Sequence, residues 1–225
     1  MQPALELPPS MNSAAGFRAH APPLLSRAPS ATVLSAPSSP TARPSDFDLN
    51  PGLEQDLART TPLRQAAVLV PVVARQPLTV LFTLRTEHLA NHAGQVSFPG
   101  GKIDDSDASA TATAIREAQE ETALPGSAVE PLGFLDTYRT STGYSVAPLV
   151  SLIEPGHPLR PNPDEVADIF EVPLSFLMDP ANITLHSRMW LGRERRFYAF
   201  SYKNRYIWGA TAGILNNMRE RLYSD

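Results

Sequence analysis

The sequence predicts a mixed α/β domain. Apolar, β-rich runs recur from residue 62 to residue 202, one helical pattern sits among them at Asp107–Thr122, and a second closes the chain at Ala210–Leu222. No internal repeat is evident. Gln65–Val73 and Leu78–Arg85 read as strands joined through Arg75-Gln76-Pro77, a hairpin signal. Gly94–Phe98 reads as a short strand and Pro99-Gly100-Gly101 as a turn. Ser106 or Asp107 can cap the helix that follows. Strands are expected at Val129–Tyr138, Tyr144–Ile153 and Val166–Val172, with a late hairpin over Arg188–Tyr202 around Gly192-Arg193.

The expected domain covers 62–225, after a lead-in at 46–61. Residues 1–45 hold nine of the 23 prolines, many Ser and Ala, and a single acid, Glu6. Such composition offers too little apolar surface to offset the entropy of ordering, so this stretch reads as a disordered tail whose removal should change little. It lacks the basic start and apolar stretch of a secretory signal. Arg18, Arg27 and Arg43 give it a loose likeness to an organelle transit peptide. The plainer reading is a bacterial low-complexity extension on a cytoplasmic protein.

Composition excludes several functions. The 225-residue chain has a net charge of −4, which gives no support for a broad basic face binding nucleic acid. It has no cysteines, hence no disulfides, thiol catalysis or Cys-based metal site. The longest apolar run, Ala66–Ala74, is far short of the roughly 20 residues that cross a bilayer, so no membrane partner is expected.

The chemistry is concentrated in Gly100-Gly101-Lys102-Ile103-Asp104-Asp105-Ser106-Asp107 and, eight residues on, Arg116-Glu117-Ala118-Gln119-Glu120-Glu121. On a helix, Ala112, Ile115, Ala118 and Thr122 share one side, and Glu117, Glu120 and Glu121 cluster on the other. Like charges at i,i+3 and i,i+4 destabilise a helix by a few tenths of a kcal/mol, and no lysine offsets them. A solvated acidic face is the plain alternative. Hard cations such as Mg²⁺ or Mn²⁺ prefer such oxygen donors, and Arg116 can orient them through Asp107 or a neighbouring Glu. The glycines let the backbone pass close to a ligand.

This segment resembles the Nudix box, a Gly, five residues, Glu, seven residues, then R-E-x-x-E-E-x-G. Gly101 matches the first Gly, Asp107 stands at the first Glu with eight residues before Arg116, and Ala123 replaces the last Gly. The resemblance implies a mixed sheet sandwiched between helices, with the box as loop–helix–loop. It implies hydrolysis of a nucleoside diphosphate linked to another group, with Mg²⁺ or Mn²⁺ as cofactor. Glu117 and Glu121 would be the principal metal ligands, assisted by Glu120 and the Gly100 carbonyl. Arg116, Glu120 and Glu165 become the catalytic candidates, although Glu165 can equally fix a turn.

The stretch Leu81–Gly101 resembles the signature of Nudix coenzyme A pyrophosphatases. Thr83, Arg85, Gly94, Phe98, Pro99, Gly100 and Gly101 sit in register, while Phe82, Thr86 and Ala90 depart from it. Thr140-Ser141-Thr142-Gly143-Tyr144, Asp164-Glu165-Val166 and Trp208–Ile214 are similar to the bacterial members as well. The implied substrate is coenzyme A or an acyl-CoA, cleaved to 3′,5′-ADP and 4′-phosphopantetheine. Arg85, Phe98 and Lys102 are the substrate-binding candidates. Ala90 supplies no cation for the 3′-phosphate, so Arg85 or Lys102 must. His88 and His92 are expected at the surface, and Tyr138 and Tyr144 in the core. The alternatives are another Nudix specificity (ADP-ribose, NADH or a nucleotide) or a non-catalytic Nudix-fold binding module. A homodimer is compatible with the sequence.

Overall fold

The apolar run at Ala66 becomes the central strand of the molecule. The computed structural model describes residues 12–29, 45–50, 63–89, 92–190 and 192–223. In chain order the elements are α1 (Ala14–His20), β1 (Arg64–Val73), β2 (Thr79–Arg85), β3 (Val96–Ser97), β4 (Gly100–Lys102), α2 (Ala110–Thr122), β5 (Val129–Phe134), β6 (Tyr138–Arg139), β7 (Tyr144–Ile153), β8 (Val166–Pro173), α3 (Leu174–Met178), β9 (Ile183–Trp190), β10 (Arg193–Tyr202), β11 (Arg205–Trp208) and α4 (Ala210–Tyr223).

Along β1, Ala66, Val70 and Val72 enter one core cluster, while Ala67, Leu69 and Val73 enter another. Alternate strand residues face opposite sides, so both faces of β1 are covered and the run needs no polar alternation. β1 pairs in parallel with β7 from Arg64–Tyr144 to Val73–Ile153. Its last residues pair antiparallel with β2, and its first half pairs with β4. β2 also carries β3 and β8, and β7 carries β5 and β6, completing an eight-stranded mixed sheet. Helix α2 packs on one face through Ala114 and Ala118, and α1, α3 and α4 lie on the other. This is the expected sheet between helices. A second, three-stranded sheet runs β11-β10-β9.

Several local expectations need correction. Pro99-Gly100-Gly101 is not only a turn, because Gly100 and Gly101 pair with Val68 and Ala67 as β4. Helix α2 starts at Ala110 and is capped by Ser109, whose Oγ accepts the Ala112 N–H at 3.2 Å. Asp107 is committed elsewhere. Strand 129–138 is broken into β5 and β6, and β11 and α3 carried no readable signal.

The larger correction concerns the tail. Residues 12–29 are folded onto the domain. Ser13 caps α1, and Phe17, Ala21 and Leu25 enter the same core cluster as α4. Arg18 binds both oxygens of Glu130, at 2.7 and 2.9 Å from Nε. Ser26 and Phe134 exchange backbone hydrogen bonds of 2.9 and 2.8 Å. The i, i+4 spacing of Phe17 and Ala21 gives the short helix and its cap an apolar side that averaging over a proline-rich segment conceals, and Leu25 follows in extended backbone after Pro22–Leu24. In the lead-in, Asp46 accepts hydrogen bonds from Tyr138 Oη, the Ser141 N–H and Oγ, and Arg195. The rest of the tail, residues 51–61 of the lead-in, and Ala90 lie outside the described residues.

Candidate active site

The glycine pair is held against β1 and α2 by contact. Gly100 has φ +154°, and a Cβ there would lie 2.5 Å from the Ala67 carbonyl oxygen. A Cβ on Gly101 would lie 2.5 Å from the Glu117 carboxyl carbon. No larger residue fits either position without moving β1 or the carboxylate. The Gly100 N–H also favours the charged form of Glu121.

Arg116 organises the loop ahead of the helix. Its Nε donates to Asp107 Oδ1 at 3.0 Å and one terminal nitrogen to Oδ2 at 2.9 Å. The other terminal nitrogen lies 3.0 Å from Glu117 and 3.0 Å from Glu120. Asp107 also accepts from the Asp104 N–H and from Thr113 Oγ1. The Arg116 guanidinium, followed by the Asp104 N–H, holds the Asp107 carboxyl far below the usual carboxylate range. Aspartate at the box's first Glu position therefore still ties the loop to the helix, despite the extra residue between them.

Glu121 is only 2% exposed. Its Oε2 is buried with no hydrogen-bond partner, as is Arg85 Nε, and the two side chains approach to 3.9 Å. Burial pushes the Glu121 carboxyl up to about 8, Arg85 opposes this, and Glu165 and Glu117 add to it. Glu117 is half-buried and shifted upward by burial, with Arg116 opposing.

Glu165 reaches this group through a loop that both neighbours grip. The Arg160 and Asn162 N–H groups donate to the Thr122 and Glu121 carbonyls, each at 2.9 Å, satisfying the end of α2. From the other side, the Thr86 N–H donates to the Glu165 carbonyl at 3.0 Å. The Glu165 carboxylate then lies 4.0 Å from Arg85 and is about half exposed. The grip through Asn162 was missed in the sequence, where only the turn signal of Asn162-Pro163 hinted at it.

The structure thus brings Arg85, Gly100, Glu117, Glu121 and Glu165 together, with Arg116 and Glu120 beside them. Lys102 is exposed at the end of β4. Phe98 is 4% exposed and stacks on Phe82 with ring centroids 5.1 Å apart, so it packs the core beneath the glycine pair. Tyr138 is buried as expected, and Arg64 lies over the Tyr144 ring at 4.0 Å. His88 is exposed and bonds the Asp164 carbonyl at 3.2 Å.

An oxygen-only donor set with an orphaned buried carboxylate oxygen suits a hard divalent cation. Among the described residues, no three Asp, Glu or His groups already converge as a complete cage.

Sheet, glycine loop and carboxylate helix together define a Nudix-type domain. The NUDIX domain model matches residues 63–193. The Nudix hydrolase NudL of Escherichia coli K12 is 45% identical over 158 residues, 69% of this chain and 81% of that protein. NudL of Shigella boydii serotype 18 is 44% identical over the same span. The chain belongs to the Nudix hydrolase family, and it is a pyrophosphatase of that family. Among solved structures, the NUDIX domain of Shewanella oneidensis NrtR complexed with ADP ribose is 20% identical, with TM-score 0.46, covering 73% of this chain and 91% of that one. No described helix is long and apolar enough to cross a membrane.

Proposed function

We propose that this protein hydrolyses the pyrophosphate bond of coenzyme A or an acyl-CoA, releasing 3′,5′-ADP and 4′-phosphopantetheine. The hydrolytic part rests on one observation, the buried Glu121 carboxylate with a free oxygen beside Glu117 and the Gly100 N–H. The choice of coenzyme A rests on the register of Thr83, Arg85, Gly94 and Pro99-Gly100-Gly101 ahead of the helix.

Glu117 and Glu121 would hold Mg²⁺ or Mn²⁺, with Glu120 and the Gly100 carbonyl as further oxygen donors. The bound ion supplies charge neutralisation at the phosphate oxygens and lowers the pKa of the attacking water. Arg116 keeps Glu117 and Glu120 aimed by holding both carboxylates at once. Glu165, half exposed and tethered through its carbonyl, would accept the proton of the attacking water. Arg85 lies between Glu121 and Glu165 and limits their repulsion. Lys102, exposed next to Gly101, would pair with the 3′-phosphate through a charge-assisted contact.

The test is a product assay on coenzyme A, 3′-dephospho-CoA, ADP-ribose and NADH with Mg²⁺ or Mn²⁺. Coenzyme A should show the highest kcat/KM and yield 3′,5′-ADP, and chelator should abolish turnover. Faster cleavage of ADP-ribose would refute the coenzyme A reading and leave the pyrophosphatase standing.

A further inference from the structure

We infer that the open edge of β9 pairs with β9 of a second copy of this chain, merging two three-stranded sheets into one of six. In the sheet β11-β10-β9, the outer edge of β9 has no partner among the described residues. The hydrogen bonds of β10 show which β9 groups face that edge. The Arg196 N–H donates to Asn50 Oδ1 at 2.7 Å, and the Arg196 carbonyl accepts from Asn50 Nδ2 at 2.9 Å. Both backbone groups of Arg196 therefore point away from β9. Arg196 stands opposite Ser187, so this is a non-hydrogen-bonded pair in which both residues turn their backbone groups outward. The Gly209 N–H donating to the Tyr198 carbonyl follows the same alternation. Leu185, Ser187 and Met189 thus direct N–H and C=O to the open edge.

The same residues carry exposed apolar side chains. Leu185 is 54% exposed and Met189 69%. They share a strand face and lie symmetrically about Ser187. A two-fold axis at Ser187 sets Ser187 opposite its counterpart and Leu185 of one copy opposite Met189 of the other. Each of these pairs exchanges two backbone hydrogen bonds, and each Leu185–Met189 pair covers apolar surface left open in the monomer. Arg188 then faces His186 rather than another Arg188, which avoids like charges directly opposite. An axis at Arg188 would oppose the two arginines. An axis at Leu185 or Met189 would carry the other apolar side chain past the end of β9. Strand β9 has no Lys, Pro, Asp or Glu, residues that commonly guard an edge against pairing.

The experiment is sedimentation velocity on the full chain across a concentration series, with hydrogen exchange on the same samples. The wild type should dimerise, and the Leu185, Ser187 and Met189 amides should lose protection on dilution. Ser187→Pro removes an outward N–H without touching the β9–β10 ladder, and should weaken the dimer by ~100-fold or more through lost edge bonds. The double variant Leu185→Lys/Met189→Lys should also be monomeric, and it keeps the question decidable if the proline variant fails to fold. A monomeric wild type would overturn the inference. So would a dimer that persists in both variants, or edge protection independent of concentration, which would mean that a segment of the same chain covers β9.

Discussion

Glu121 is a buried carboxyl whose charge is costly in the metal-free protein. Its carboxyl lies at about 8 because burial disfavours the charge. A folded-state pKa above the unfolded value means that the native protein binds more protons between the two values. The stability of the metal-free protein should therefore fall as pH rises from about 4.5 towards 8, a slope readable from denaturant unfolding at several pH values. Glu121→Gln should remove much of that slope and raise metal-free stability at pH 8. It should also lower kcat by at least ~100-fold, about 2.7 kcal/mol of barrier. Full activity in that variant would contradict the assigned role. The two cations should separate as well. Lys102→Ala should cut the preference for coenzyme A over 3′-dephospho-CoA by the worth of a charge-assisted contact, about 1.5–3 kcal/mol. Arg85→Ala should lower kcat on both substrates alike, because its charge lies 3.9 Å from Glu121 and 4.0 Å from Glu165. A preference that moves with Arg85 and not Lys102 would reverse these roles.

Helix α2 was legible as an element because its carboxylates and apolar residues follow a helical period. Its ends were less so. Asp107 is a good N-cap by type, yet Arg116 and Thr113 claim its oxygens and Ser109 caps instead. The C-terminal end carries a residue the box pattern does not expect. Ala123 adopts φ +57°, a left-handed conformation that costs an L-residue with a Cβ roughly 1–2 kcal/mol. Ala123→Gly should relieve this while adding unfolded-state entropy, for a net gain of about 0.5–1 kcal/mol. Chemical denaturation would show it as a higher midpoint at constant slope, with kcat unchanged. Ser109→Ala should cost about 1 kcal/mol by the same measurement.

At the level of the whole molecule, the N-terminal segment belongs to the fold. Phe17 is fully buried against the cluster that holds α4. Phe17→Ala should cost about 3–5 kcal/mol, the range for emptying a buried aromatic site. Deleting residues 1–29 should lower the thermal midpoint and uncover the core between β5 and α4. An unchanged midpoint would show that the segment adds nothing. Arg221 reinforces the attachment, donating to the Leu24 carbonyl and to Asp136 Oδ1 at 2.7 Å. Asp46 likewise joins β6, the Ser141 turn and β10, so residues ahead of the family match at 63–193 help to align the two sheets.

The features readable in the linear chain are those encoded by short-range spacing. The strand runs, the helix with Glu117, Glu120 and Glu121 on one side, and the glycine pair ahead of it all depend on neighbours within a few turns. Strand order, the docking of Phe17 and the open edge of β9 depend on contacts between segments far apart in sequence, whose pairing no local period encodes. Phe98 shows the difference. It stands within a substrate signature, yet the Phe82 ring that it stacks on decides that it packs the core. Glu165 shows the converse. Its own neighbourhood fits a catalytic residue and a turn residue equally, and the backbone bonds of Asn162 to α2 and of Thr86, just past β2, bring it to the carboxylate site.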